Sequence, residues 1–140
     1  MKRIMGLDFG TKRIGIALSD PLGITAQPLL VLERKNIASD LSELESIIKD
    51  KDVGKIVLGL PMNMDGSEGR SAEDVRIFAD KISEKTGLAV EYYDERLSTA
   101  QTEKMLISEA DLSREKRKKV RDKLAACLVL QSYLDRCSIK

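Results

Sequence analysis

Arg3-Ile4-Met5-Gly6-Leu7-Asp8-Phe9-Gly10-Thr11-Lys12-Arg13-Ile14-Gly15-Ile16-Ala17-Leu18 opens the chain. Arg3 to Phe9 is a short, mostly apolar run, the pattern of a buried strand, and it carries one acid, Asp8, near its end. Gly10-Thr11-Lys12 supplies a turn. Beyond it Ile14, Ile16 and Leu18 alternate with Gly15 and Ala17, so the pair reads as a hairpin with small residues on one face.

Working outward, Ser19-Asp20-Pro21-Leu22-Gly23 makes a second turn and Ile24 to Leu32 a third strand. Pro28 has no N–H to give a ladder, so this strand belongs at an edge or carries a bulge. The period then changes. Ile37, Leu41, Leu44 and Ile48 recur at helical spacing. Lys55 to Leu60 is a fourth strand stopped by Pro61, and the residues from Pro61 to Arg70 form a polar, glycine-containing loop expected to overlie the substrate groove. Ser71 with Asp74 resembles a capping box ahead of a helix with Val75, Phe78, Ala79 and Ile82 on one face, closed by Gly87. Leu88 to Asp94 is a fifth strand, and Ser98 with Gln101 starts another helix. The last helix is expected from near Val120 to about Arg136, buried nearly all round because Leu124 to Leu130 are all apolar.

That order is an antiparallel three-stranded start followed by α/β crossovers. The right-handed crossover rule sets the later strands beside the first. The fold class is therefore α/β, a mixed five-stranded sheet flanked by helices on both faces, as one domain over 1–140.

Composition narrows the chemistry. No run approaches the ~18 apolar residues of a membrane span, and an aspartate at position 8 leaves no room for a signal-peptide apolar region, so a cytoplasmic setting is expected. Cys127 and Cys137 sit ten residues apart in one helix, roughly 15 Å at the helical rise of about 1.5 Å per residue, too far for a disulfide. The chain contains no His. Histidine-based triads and general bases are thereby excluded, leaving carboxylates, lysine, hydroxyls or a metal held by oxygen.

Asp8 closes the first strand and Asp94-Glu95 the fifth. If those strands are parallel, the acids meet at the sheet's carboxyl edge, where α/β folds place ligands. Asp122 heads an apolar helix one turn before Ala125 and Ala126. Converging carboxylates repel unless one is protonated or a cation joins them, and all-oxygen ligation favours Mg2+ or Mn2+ over zinc. Two ordinary roles compete with that reading. Asp at a strand end is common turn chemistry, and Asp122 could cap its helix or pair with Lys118 or Lys119. The Gly10-Thr11 turn could likewise cradle a phosphate on backbone N–H groups, or be an ordinary hairpin.

Four motifs then become recognisable in order. Leu7 to Gly15 with Ser19-Asp20-Pro21, Gly59 to Glu68, Asp94-Glu95-Arg96-Leu97-Ser98-Thr99, and Asp122 to Ala126 with Leu130 to Leu134 resemble the YqgF family across nearly the whole chain. That family comprises Holliday junction resolvases also described as pre-16S ribosomal RNA nucleases. The resemblance implies a ribonuclease H-like fold and a hydrolase acting in ribosome biogenesis, on the 5′ end of pre-16S rRNA within the small-subunit precursor or on branched DNA. It carries catalytic and metal-binding roles onto Asp8, Glu95 and Asp122. Asp94 is the neighbour that could replace Glu95, and one-metal and two-metal chemistry both stay open. Lys12, Arg13 and Arg96, with Thr11 in the turn, would face backbone phosphates. A monomer and a homodimer are both compatible. The reading of a different class is a non-catalytic RNA-binding assembly factor.

Charge is uneven. The net charge is +1, yet Arg114 to Lys123 holds seven basic residues against Glu115 and Asp122, a local +5 that leaves −4 elsewhere. Such a segment suits a local polyanion contact, and Arg117, Lys118 and Lys119 lead directly toward Asp122. Replacing those three by Gln or Ser is expected to weaken nucleic-acid binding for every sequence alike. It should also flatten the salt dependence by about 0.7–0.9 in logarithmic slope per lost contact. Fluorescence anisotropy across a salt series checks this, and an unchanged slope in a folded triple variant returns the segment to a solvated face.

Overall fold

The computed structural model of the chain describes residues 2–61, 69–94 and 114–138, and for 114–123 and 138 the backbone alone. Strand β1 (Arg3–Phe9) pairs antiparallel with β2 (Arg13–Ser19), and β2 pairs antiparallel with β3 (Ala26–Glu33). Helix α1 (Ile37–Asp50) leads to β4 (Val53–Leu60), parallel to β1. Helix α2 (Arg70–Thr86) leads to β5 (Val90–Asp94), parallel to β4, and helix α3 spans Arg114–Ser138. The sheet order is β3-β2-β1-β4-β5. The expected mixed sheet, with the later strands added beside the first, is what forms.

Alternation along each strand divides the core in two. Met5, Leu7, Ile56 and Leu58 bury against Leu44 and Ile48 of α1 and Val75, Phe78 and Ile82 of α2. On the other face Ala17 and Val57 meet Ala126, Val129, Leu130 and Leu134 of α3. That second face is built of small residues, and the helix comes in close. A methyl group added at Gly6 would stand 2.7 Å from Leu130 Cβ and 3.1 Å from the Ala126 carbonyl oxygen. At the far end of the same face Lys55 pairs with Glu91 at 2.9 Å beneath the Tyr133 ring. Burial, aided by a hydrogen bond with Glu91, pushes the Tyr133 phenol up to about 12.

Pro28 behaves as its missing donor requires. It lies on edge strand β3, and the register slips there: Ile16 pairs with Leu30 but Ala17 with Pro28, which leaves Leu29 as an extra residue. Gly87 closes α2 in the left-handed region, at φ 75°.

Four expectations are corrected. Strand β3 starts at Ala26, because the N–H groups of Ile24 and Thr25 donate to Asp20 Oδ1 at 2.7 and 2.9 Å and belong to the turn. Ser71 does not cap α2. Gly69 occupies that position, with no side-chain hydrogen bond, and Ser71 lies inside the first turn. Helix α3 begins at least as early as Arg114, so the basic segment is helical throughout. Nor is α3 buried all round, since Ala126, Val129, Leu130 and Leu134 are buried while Leu124, Ala125, Cys127 and Leu128 are half-buried. An amphipathic helix lying on one sheet face needs only one buried stripe. The helix expected from Ser98 and most of the loop after Pro61 lie outside the described residues. Both cysteines are free. Among the described residues no helix is long and apolar enough to cross a membrane.

Gly6→Ala is expected to destabilise the protein by about 1–3 kcal/mol, the usual range for overpacking a filled core. Denaturant unfolding measures it. The obstructing atoms are a Cβ and a backbone oxygen, so Leu130→Ala should not relieve the clash.

Candidate nucleic-acid cleavage site

The site begins with the faces of β1. Gly6 abuts α3, so Asp8, two residues on, points to the α3 side of the sheet at its carboxyl edge. Its partner across the ladder on β2 is Gly15. On β4 the register of Leu7 with Leu58 brings Gly59 alongside. Glycines on both neighbouring strands leave the Asp8 carboxylate unshielded by lateral side chains. It is half-buried, and among the described residues no hydrogen bond or ion pair reaches it.

Helix α3 crosses this face in the opposite direction to β1. Tyr133 stands over Lys55, the register partner of Ile4, whereas Leu130 and Ala126 pack at Gly6. Its earlier turns therefore proceed toward the Asp8 end of the strand. Asp122 lies in that helix, one turn before Ala126. The side chains of Asp122, Arg117, Lys118 and Lys119 are outside the description, as are Glu95 and Arg96 entirely.

Asp94 is described, and its position is informative. It pairs with Leu60, while Tyr93 pairs with Gly59 and Tyr92 with Leu58. Tyr93 packs with the α3 cluster, Tyr92 with the α1–α2 cluster. Asp94 therefore shares the α1–α2 face, opposite to Asp8.

The turn after Asp8 is tightly drawn. The Gly10 N–H donates to the Arg13 carbonyl at 2.8 Å, and a Cβ on Gly10 would stand 2.7 Å from that same oxygen. This N–H is thus engaged within the turn rather than offered to a phosphate. Thr11 and Lys12 are exposed, while Arg13 is half-buried and 3.8 Å from Glu33.

Sequence reasoning missed two residues behind this turn. Arg34 reaches the carbonyls of Gly10 and Thr11, and Asp40 of α1 lies beneath it, 2% exposed. A signal for Asp40 existed. It falls in the stripe with Leu44 and Ile48, where a charge must have a buried partner. A cleft of about 460 Å3 opens beside this turn, between Phe9, Thr11 and Arg34 on one side and Ser71, Phe78 and Lys81 on the other. It lies across β1 from Asp8.

The family described as RuvX, Holliday junction resolvase, matches residues 2–136. A protein of Desulforamulus reducens, named as a candidate pre-16S rRNA nuclease, is 54% identical over 133 residues, covering 95% of this chain and 96% of its own. One of Endomicrobium trichonymphae with the same name is 52% identical over 135 residues, 96% of each. In three dimensions the T. thermophilus RuvC in complex with Holliday junction substrate matches with a TM-score of 0.60 over 98% of this chain and 96% of its own, at 14% identity. The shared architecture is the ribonuclease H-like fold.

Asp8 and Asp94 stand on opposite faces of the sheet, which makes the metal-ligand set testable. Asp94→Asn is expected to leave the affinity of the isolated protein for Mn2+ within about threefold, and Asp8→Asn to lower it tenfold or more, one ligand being worth roughly 1.4 kcal/mol at the least. Calorimetric titration with Mn2+ checks both. Equal losses would return Asp94 to the ligand set.

Proposed function

The chain belongs to the RuvX family of Holliday junction resolvases, and on that premise we propose that this nuclease is a divalent-metal-dependent endonuclease processing the 5′ end of pre-16S rRNA. The observation that carries the reading is Asp8, half-buried and unpartnered among the described residues, set between two glycines at the sheet's carboxyl edge. An unpartnered acid at the ligand edge of an α/β sheet suits a cation and gives the fold nothing in return.

Asp8, Glu95 and Asp122 would hold Mg2+ or Mn2+. When bound, such an ion lowers the pKa of its water and offsets charge on the scissile phosphate. Asp94 lies on the face opposite Asp8, which favours Glu95 in the ligand set. The direction of α3 along β1 carries the backbone at Asp122 toward the Asp8 end. Thr11 and Lys12, exposed on the turn, with Arg13 and Arg96, would orient backbone phosphates, and Arg117, Lys118 and Lys119 would hold the strand further out. The oxygen-only ligand set fits a hard cation, in keeping with a chain that has no His.

The substrate follows from relatives more than half identical over nearly their whole length and named for pre-16S rRNA. A second reading, cleavage of branched DNA, has its own support in the family's description as Holliday junction resolvase. Backbone-led binding serves either polymer. A cytoplasmic setting follows from the ribosomal role.

With Mn2+, wild-type protein is expected to cut precursor 16S RNA, assayed beside a four-way DNA junction. Asp8→Asn and Glu95→Gln should each lower the rate by at least 100-fold with the fold intact. In metal-free protein Asp8→Asn should be neutral or stabilising, because it removes repulsion among unneutralised carboxylates. Cleavage of RNA by Asp8→Asn at the wild-type rate sinks the site. Cleavage of the junction alone transfers the function to DNA.

A further inference from the structure

Arg34 makes more contacts than its place in a connecting segment requires. Its Nη1 donates to the carbonyls of Gly10 at 3.1 Å and Thr11 at 3.4 Å, and its backbone N–H donates to Lys12 O at 2.9 Å. Three successive carbonyls of the turn after Asp8 thus converge on one residue. The same guanidinium donates through Nε to Asp40 Oδ2 at 3.3 Å and lies 4.4 Å from the centre of the Phe9 ring. Phe9 in turn stacks on Phe78 at 4.3 Å. Asp40 also accepts the Lys35 N–H on Oδ1 at 3.1 Å, so both its oxygens are engaged.

We propose that Arg34 is a positioning residue, holding the Gly10–Lys12 turn, and through Phe9 the adjoining Asp8, in the shape cleavage needs. This rests on the reading of Asp8 as a ligand at the cleavage centre.

The plainer account makes Arg34 only the counter-ion of buried Asp40. Neutralising Asp40 needs the Nε contact alone. The turn is at the surface, with Thr11 and Lys12 exposed, so water could satisfy its carbonyls. Donors committed there instead fix the turn's shape. The guanidinium is suited to this because its donors are arranged in a rigid planar fork, which a lysine ammonium cannot reproduce. With three carbonyls committed to Arg34, the backbone that carries the exposed Thr11 and Lys12 is held in one shape. Asp8 and Phe9, adjacent in sequence, face opposite sides of the sheet, and only Phe9 is held by Arg34.

Arg34→Met alone would strand the Asp40 carboxylate and could unfold the chain. The test therefore uses Arg34→Met with Asp40→Asn, which removes clamp and buried charge together and keeps an acceptor for the Lys35 N–H. Arg34→Lys and Asp8→Asn accompany it. Single-turnover cleavage of precursor 16S RNA and of a four-way junction is measured at saturating Mn2+ and saturating substrate. Binding is followed by anisotropy, folding by thermal melting, and the turn by amide exchange over residues 9–13.

The expected result is a folded double variant whose binding changes less than about threefold and whose cleavage step slows about 10- to 100-fold, the scale of a misplaced reacting group. Amides of the turn should exchange faster, and Arg34→Lys should restore only part of the rate. A folded double variant cleaving at the wild-type rate overturns the proposal. So does a defect that disappears at saturating substrate, which would make the turn a binding element. If Asp8→Asn also cleaves normally, the reading of Asp8 fails first. If Asp8→Asn is inactive and the double variant is not impaired, only the role of Arg34 fails.

Discussion

The close seat of α3 on β1 governs the arrangement. A helix packed on a sheet is normally held off by side chains from both. Here Gly6 supplies none, and the Leu130 Cβ and Ala126 carbonyl occupy the space a methyl group would take. Ala17 and Val57 keep the adjoining strands low on the same face. The consequence for the site is one of depth. The close approach sets the α3 backbone low over the face of β1 on which Asp8 stands.

The pleat also gives the sheet two faces of different character. The α3 face carries small residues and, at its carboxyl edge, Asp8 between glycines. The α1–α2 face carries the large apolar side chains, with Met5, Leu7 and Phe78 fully buried. Burial of that order stabilises the domain at about 25 cal/mol per Å2 of apolar surface, and it asks for no charged group. Asp94 belongs to this second face. A shift of one residue along a strand exchanges the faces, so the register of β5 decides which side of the sheet Asp94 can approach.

Much of this was legible in the sequence, and the reasons are local. The period-2 run from Ile14 to Leu18 and the helical stripe from Ile37 to Ile48 each report a single buried face. Pro28 announced an edge strand with a bulge because a missing donor has few other places to be. The start of α3 escaped because Arg114 to Lys119 has no apolar period to reveal a helix, although Arg, Glu and Lys all favour one. Ser71 misleads because a capping pattern does not fix which residue stands at the cap, and Gly69, two residues earlier, takes the extended cap position. The face of Asp94 could not be assigned before the register was known. Arg34 escaped for another reason. Its partners are the carbonyls of a turn more than twenty residues earlier, and carbonyls have no signature in a sequence.

The buried Asp40 illustrates why such a pair persists where an apolar pair would pack as well. Replacing a buried ion pair by hydrophobic residues is often neutral or stabilising, so stability alone does not explain it. What an aliphatic residue at position 34 cannot do is donate hydrogen bonds to the surface turn while resting on Phe9. Asp40 is then best regarded as the group that orients Arg34. Its Oδ1 is fixed by the Lys35 N–H and its Oδ2 receives Nε, which leaves the outer edge of the guanidinium directed at the turn. The order of dependence runs from a buried acid on α1, to an arginine at the end of β3, to the backbone beside Asp8. Each step is a directional hydrogen bond, which apolar packing could not supply.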